Sequence, residues 1–290
     1  MVDRGKTFQV VANIIMALLV LFCLVPFVLL IISSITKETS LVKYGYSFIP
    51  REIDLAAYKY LLVDSTDIIR GYGISALVTV VGTICNLTIT TLFAYPLSRR
   101  DLPARNVLAF FLFFTMLFNG GLVPSYINIL NLGLRDTYWA IVLPGAISAY
   151  EVFVFRTFFS EIPSSLEESA YIDGAGHFRT LFSIILPLSK ALLATFALFA
   201  IVRYWNDYMS ALLYLDSSSK HPIQLFLRKI LNTMRMDDIK DYAMLQELNK
   251  INSRTVQNAA IVITIVPILC VYPFVQKYFM IGMLMGSVKG

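Results

Sequence analysis

Six stretches of this chain are too long and too apolar to form the surface of a water-soluble domain. They cover about residues 8–35, 72–98, 107–130, 137–159, 185–215 and 256–281. A helix that crosses a bilayer needs roughly 20 consecutive, mainly apolar residues, and each stretch meets that length. The 290 residues are 57% apolar and only 15% charged, so the chain lacks the polar side chains to cover itself in water; soluble domains carry about 25% charged residues. The expectation is an all-α polytopic membrane protein: one domain over residues 1–290, with six transmembrane helices in contact with lipid. Cys23, Cys85 and Cys270 fall inside the expected spans without metal-ligand spacing. They read as small buried hydrophobes, and no metal site or disulfide frame is expected.

Cations flanking the spans set the orientation. Arg4 and Lys6 precede the first span, Arg99, Arg100 and Arg105 lie between the second and third, Arg156 and Lys190 flank the loop 161–184, and Arg179 lies within it. With Lys277 at the end of the last span and Lys289 after it, the positive-inside rule puts these segments and both termini in the cytoplasm. Residues 36–70, with five basic and five acidic residues, and residues 216–254, with seven and five, are then the outer loops. The second runs against the rule, but its length and the other loops leave it outside. The first apolar run is too long for a cleavable signal and lacks a small-residue cleavage site, so it is expected to remain as a span. The net charge of +5 follows from the same bias and points to no nucleic-acid partner.

Several spans carry residues that a lipid-facing helix would not keep. The run 107–118 extends only about 18 Å at 1.5 Å per residue before it meets Asn119-Gly120-Gly121 and Pro124. That composition predicts a broken helix, and non-helical backbone at such depth is tolerated only against protein or a wet cavity. A packing kink explains the break as readily as a pathway does. On the pathway reading, Asn119, Tyr126, Asn128 and Asn131 line a route near Gly120 and Gly121. Amides and tyrosines suit a neutral, hydroxyl-rich solute. Glu151 lies inside the fourth span, where an ionisable side chain is a functional candidate by default. Arg203 precedes Tyr204-Trp205-Asn206-Asp207, a cluster placed near the outer mouth because Trp205 lies about 27 Å along a straight helix from Pro187. The depths of Glu151 and Arg203, counted in this way, differ by several ångströms and argue against a direct pair.

The outer loops add two amphipathic pieces. Residues 55–62, beside Tyr44, Tyr46 and Phe48, read first as an interfacial anchor. Ile223, Phe226, Leu227, Ile230, Leu231 and Met234 recur at helical spacing and form one apolar face. That face fits the membrane surface or a neighbouring subunit, or alternatively the docking of an external partner.

The longest polar interruption in the middle of the chain is EIPSSLEESAYIDGAGHFRTLFSIILP, from Glu161 to Pro187. Ser164 and Ser165 each stand three residues before a glutamate, Glu167 and Glu168, which predicts a capping-box start. Gly174-Ala175-Gly176 ends the helix after about two turns, and a second short helix is expected from His177.

Glu168-Ser169-Ala170, then Gly174 after three residues and Ile184-x-Leu186-Pro187 after nine more, resembles the EAA motif of permease subunits of ATP-binding-cassette importers. Serine replaces the first alanine and is small enough to keep close packing. Together with Asn119-Gly120-Gly121, Tyr204-Trp205-Asn206-Asp207 and the closing Gly-x-Val-Lys-Gly, the chain resembles carbohydrate-importer permeases of the MalG type, most like the LplC/YtcP-like branch. The resemblance implies the type I ABC-importer permease fold. It also implies a heterodimer with a second permease subunit, two ATPase subunits that hold ATP and Mg, and an extracytoplasmic sugar-binding protein. It gives Glu167, Glu168, Ser169, Ala170, Asp173, Gly174 and Ala175 the role of coupling to the ATPase, and Gly286, Val288, Lys289 and Gly290 that of a tail reaching it. Glu151 stands where the family usually has asparagine.

No G-x-x-x-x-G-K-[ST] phosphate loop occurs, so ATP is expected on another chain and no cofactor or catalytic residue on this one. There is no H-E-x-x-H and no G-x-S-x-G. An intramembrane hydrolase therefore lacks a nucleophile–base pair. A stand-alone secondary transporter is the other alternative, but it would not need the polar loop.

Overall fold

The apolar runs fold as helices, and prolines and glycines decide where they stop. A computed structural model describes residues 6–232 and 254–287. Among the described residues, helix α1 (Lys6–Ser34) and helix α4 (Thr66–Ser98) are each long and apolar enough to cross a membrane, and two bent helix pairs bring the total to as many as four. The first pair is α5 (Arg105–Leu117) with α6 (Leu122–Asn131), bent by 119° at the Asn119–Gly121 break foreseen from sequence. The second joins the segment His177–Leu188 to α12 (Lys190–Asn206), bent by 83°.

The α5–α6 elbow is built by its own polar groups. Gly121 has φ +86°, the Asn119 side chain accepts its N–H at 2.9 Å, and the Ser125 hydroxyl donates to its carbonyl at 2.8 Å. A Cβ on Gly120 would make only ordinary contact with Pro124. Gly121→Ala is therefore expected to weaken the elbow by about 1–3 kcal/mol, and Gly120→Ala to leave it intact. Transport assays on separately purified single variants check this; equal effects would show that backbone conformation does not set the elbow.

The fourth apolar run is not one helix. It divides into α7 (Trp139–Val142) and α8 (Ala149–Glu161), with residues 143–148 outside helix. Pro144 is the cause, since it supplies no N–H and its ring opposes the carbonyl four residues earlier. Ahead of Pro187 the chain widens to π-helix over Leu181–Ile185, between α10 (His177–Thr180) and α11 (Leu186–Leu188). The same ring-against-carbonyl conflict accounts for it. The last helix runs Arg254–Ser287 through Pro267 and Pro273. Gly286 lies in its backbone, whereas Val288, Lys289, Gly290 and Met234 fall outside the described residues.

The chain forms two compact units. One comprises Met1–Ile69 and Phe226–Val266. In it, α2 (Glu38–Tyr44) follows α1, and the Glu38 carboxylate accepts the N–H groups of Arg254 (3.1 Å) and Thr255 (2.8 Å), capping the last helix. An antiparallel bridge joins Thr36 to Ile53, and the following helix α3 (Ala56–Lys59) continues as a π-turn that buries Leu61. The 55–62 piece is thus partly core.

The other unit, Arg70–Leu225 with Pro267–Gly290, contains two clusters. Ile74, Val78, Ile141, Val142, Tyr204 and Leu225 pack together, and Phe155, Phe159 and Phe196 stack edge-to-face beside Leu181 and Ile185. Helix α14 (Ile223–Asn232) starts in this unit, where the Ile223 N–H donates to the Ser75 hydroxyl at 3.0 Å and so anchors the first turn of the amphipathic helix on its own chain. Cys23 and Cys270 are exposed on helix surfaces and Cys85 is half-buried, so the expectation of buried thiols fails for two of the three, and all are free.

Candidate functional site

Two groups of residues stand out, one in the polar loop and one at the break in the fourth apolar run. In the loop, α9 (Ser164–Ile172) is followed by Gly174 at φ +79°. The Ala175 N–H donates to the Ala170 carbonyl (2.8 Å) and the Gly174 N–H to that of Tyr171 (3.0 Å). These are the two bonds of a Schellman cap, which satisfy carbonyls that a helix end otherwise leaves free. A Cβ on Gly174 would meet no atom within 4 Å, so glycine is needed there for its backbone and not for close approach.

The expected capping box does not form. Pro163 takes the position before the helix, no side chain caps it, and Ser169 donates to the Ser165 carbonyl at 2.8 Å. Glu167 instead turns inward and pairs with Arg99, at the end of α4. A guanidinium is a stronger partner for a carboxylate than one backbone N–H, and it wins. Arg99 also lies over the Tyr95 ring, 4.7 Å from its centroid. Burial pushes the Glu167 carboxyl above its usual value, and the Arg99 charge pulls it back. Across the glycine turn, the Tyr171 hydroxyl and His177 Nδ1 are hydrogen-bonded at 2.9 Å, so α9 and α10 are tied to each other as well as to α4.

With Glu167 and Ala170 facing inward, the opposite face of the loop is open. Glu168, Ser169, Asp173 and Gly174 are exposed and Ala175 is half-buried. Ile172 is 87% and Phe178 71% exposed. Large apolar side chains that protrude from a polar loop outside the apolar runs form the kind of surface that a protein partner covers. A charged cleft of about 770 Å³ adjoins it, lined by Arg99, Arg100, Arg105, Glu161 and Glu168.

The second group centres on Glu151. Its carboxylate is buried and accepts from Asn86 Nδ2 at 2.8 Å and from Arg203 Nη1 at 3.2 Å, so the pair argued against from helix depth does form. Counting along straight helices failed because α8 begins after a break and α12 after a bend. Arg203 Nη2 donates to the Gly145 carbonyl at 2.9 Å, and the Tyr204 hydroxyl to that of Val142 at 3.0 Å. The side chains of α12 thus satisfy the backbone that Pro144 frees. Tyr204 is 4% exposed and wedged between two glycines, with space for no Cβ at Gly82 and little at Gly145.

The other pathway candidates are scattered. Trp205 is buried near Tyr72, with ring centroids 6.1 Å apart, and Asp207 accepts the Ser210 N–H (3.0 Å) at the start of α13 (Met209–Tyr214). Asn206 is exposed and accepts from Gln224 at 3.2 Å. Tyr126 stacks on Tyr214 with centroids 6.0 Å apart, while Asn128 and Asn131 are exposed. Among the described residues, no hydrogen bond or ion pair joins Asn119 or Asn128 to Glu151 or Tyr204. At the end facing α13, Asp136 accepts from the Ser217 hydroxyl and from Lys220, each at 2.7 Å, which holds its carboxyl well below the usual range. Sequence reasoning missed Asn86, Arg99, Gly82 and Gly145; Gly82 and Asn86, four apart on one face of α4, were the available signal.

A family described as binding-protein-dependent transport system inner membrane component matches residues 5–283. The chain is 42% identical to the polygalacturonan/rhamnogalacturonan transport system permease protein YtcP of Bacillus subtilis (strain 168), over 99% of this chain and 100% of that one. It is 40% identical to protein LplC of the same organism, over 99% and 96%. Among solved structures, its fold matches a chain in the crystal structure of a bacterial ABC transporter involved in the import of the acidic polysaccharide alginate. That match has a TM-score of 0.84 and 31% identity, covering 96% of this chain and 97% of the other.

Proposed function

The chain belongs to the family of binding-protein-dependent transport system inner membrane components, and from that membership we propose that it is the permease subunit of an ATP-driven importer of oligosaccharides. The transport of polygalacturonan and rhamnogalacturonan by one relative and of alginate by another supports the carbohydrate. The partners are a second permease subunit, two ATPase subunits that carry ATP and Mg, and an external sugar-binding protein. This chain supplies no reaction chemistry. It lies in the cytoplasmic membrane with six crossings and both termini in the cytoplasm. The tail at Gly286, Val288, Lys289 and Gly290 reaches the ATPase.

The observation that carries the reading is the loop 161–184. Its two short helices are tied by the Schellman cap, the Tyr171–His177 hydrogen bond and the Glu167–Arg99 ion pair. An element held in this way moves as one body, which is what transmission of force requires. We assign its exposed face, with Ile172 and Phe178, to a groove on the ATPase. ATP closes the ATPase pair, the loop follows, and the spans rock to open outward. The loaded binding protein must favour that same state, because a ligand shifts an equilibrium only by differential affinity.

Gly174→Leu tests this. A non-glycine residue at φ +79° costs about 1–3 kcal/mol, and the cost falls on the cap alone because nothing surrounds the Cβ. The complex is expected to insert normally, to bind ATPase subunits weakly and to lose hydrolysis stimulated by loaded binding protein. Wild-type stimulation in purified Gly174→Leu complexes would reduce the loop to a connector.

A further inference from the structure

Arg203 presents a fixed cation on a face of α12 that lipid cannot cover. Its side chain is 38% exposed, although its pair partner Glu151 is only 9% exposed. Asn206, one turn on, is exposed too, and Gln224 lies against it. Counting from Lys190, Arg203 lies about 20 Å along α12, well inside an apolar run. A guanidinium and two amides side by side at that depth belong against water or protein and not hydrocarbon.

The guanidinium is also pre-oriented. Nη1 donates to Glu151 and Nη2 to the Gly145 carbonyl, and the group lies 5.2 Å from the Tyr204 ring centroid. Glu151 is itself held by Asn86. A guanidinium has five N–H donors in one plane; Glu151 and the Gly145 carbonyl engage two of them, the Tyr204 side chain lies beside the group, and the side chain as a whole keeps 38% of its surface exposed, so donors remain for a solute. Planar donors of this kind match a carboxylate better than a hydroxyl. The Glu151 charge offsets the cation overall but, seated on the buried side, it fixes the guanidinium without covering its outer edge.

We propose that Arg203 is a specificity-determining residue of the translocation route, and that its free donors engage the carboxylates of acidic oligosaccharides as they pass, with Asn206 and Gln224 taking neighbouring hydroxyls. The proposal rests on the importer reading above. It replaces the neutral solute suggested by the amides and tyrosines of α6 with a uronic-acid oligomer.

The test uses the complete complex in liposomes and two probes, a galacturonic-acid trimer and its carboxyl methyl ester, each at a concentration that saturates the binding protein. Arg203→Gln is expected to lower the acid-to-ester uptake ratio about tenfold, and Arg203→Lys, which keeps the charge but loses the plane, to lower it less. Arg203→Gln also strips the buried Glu151 of its cation. The double variant E151Q/R203Q, neutral for neutral, therefore accompanies it and is expected to show the same fall in ratio. An unchanged ratio in both, or loss of the second permease subunit from the purified complex, would overturn the assignment and make Arg203 a structural or subunit contact. A wild-type complex that imports neither probe would overturn the uronic-acid assignment, and uptake of a neutral oligosaccharide by the same complex would show that the importer reading stands without it.

Discussion

Glu167→Lys is expected to unseat α9 and abolish hydrolysis stimulated by loaded binding protein, whereas Glu168→Lys, one residue on, leaves the helix in place. The two glutamates look equivalent in the sequence, and the fold separates them. Glu167 is buried and paired with Arg99, and Glu168 is exposed. A lysine at Glu167 removes the partner of one buried cation and sets a second beside it; breaking a buried pair from one side costs about 3–5 kcal/mol. Glu168→Lys changes only what the ATPase meets. Glu167→Gln separates charge from shape. Burial holds the folded-state pKa of Glu167 above its unfolded value, so at neutral pH ionisation of this group opposes seating; the contribution is favourable only as pH falls toward the unfolded pKa. Glutamine, which keeps an oxygen for the guanidinium, is therefore expected to disturb loop order far less than lysine at the same position. Protease protection of residues 161–184, together with co-purification of ATPase subunits, reads each step. Protection of the Glu167→Lys loop at the wild-type level would show that the ion pair does not hold it.

Gly82→Ala is expected to lower the stability of the membrane domain by about 1–3 kcal/mol, the range for overpacking a closed core. The new Cβ would stand 2.7 Å from two atoms of the Tyr204 ring. Tyr204 has little room to retreat, because its hydroxyl end packs so closely on Gly145 that not even a Cβ would fit between them, and because that hydroxyl donates to Val142. Displacement would also leave the Val142 carbonyl without its donor beside the Pro144 break. Thermal unfolding in detergent measures the loss, and Gly82→Ala with Tyr204→Leu should recover part of it. If the double variant melts below both single variants, the steric account is wrong.

Much of the chain was legible in its order of residues because the controlling effects are local. Apolar length gave α1 and α4, glycine and asparagine marked the α5–α6 elbow, and Gly174 marked the end of α9. Each follows from what one short segment can do with its own backbone. The motif from Glu168 to Pro187 likewise pointed to the family without any tertiary information, and the family match over residues 5–283 agrees.

What a side chain does depended instead on what lay opposite it. Glu167 seemed set to cap its own helix until Arg99, brought up by the end of α4, took its carboxylate. Glu151 and Arg203 seemed too far apart because depth was counted along unbroken helices, while Pro144 and the bend ahead of Lys190 shorten both paths. Tyr204 read as a pathway residue, yet its ring fills the gap that Gly82 and Gly145 leave, and Asn86 drew no notice although it orients the buried acid. Periodicity and propensity act within a segment and show in its sequence. A buried charge or hydroxyl takes the best partner within about 3 Å, and only the tertiary structure decides which partner that is.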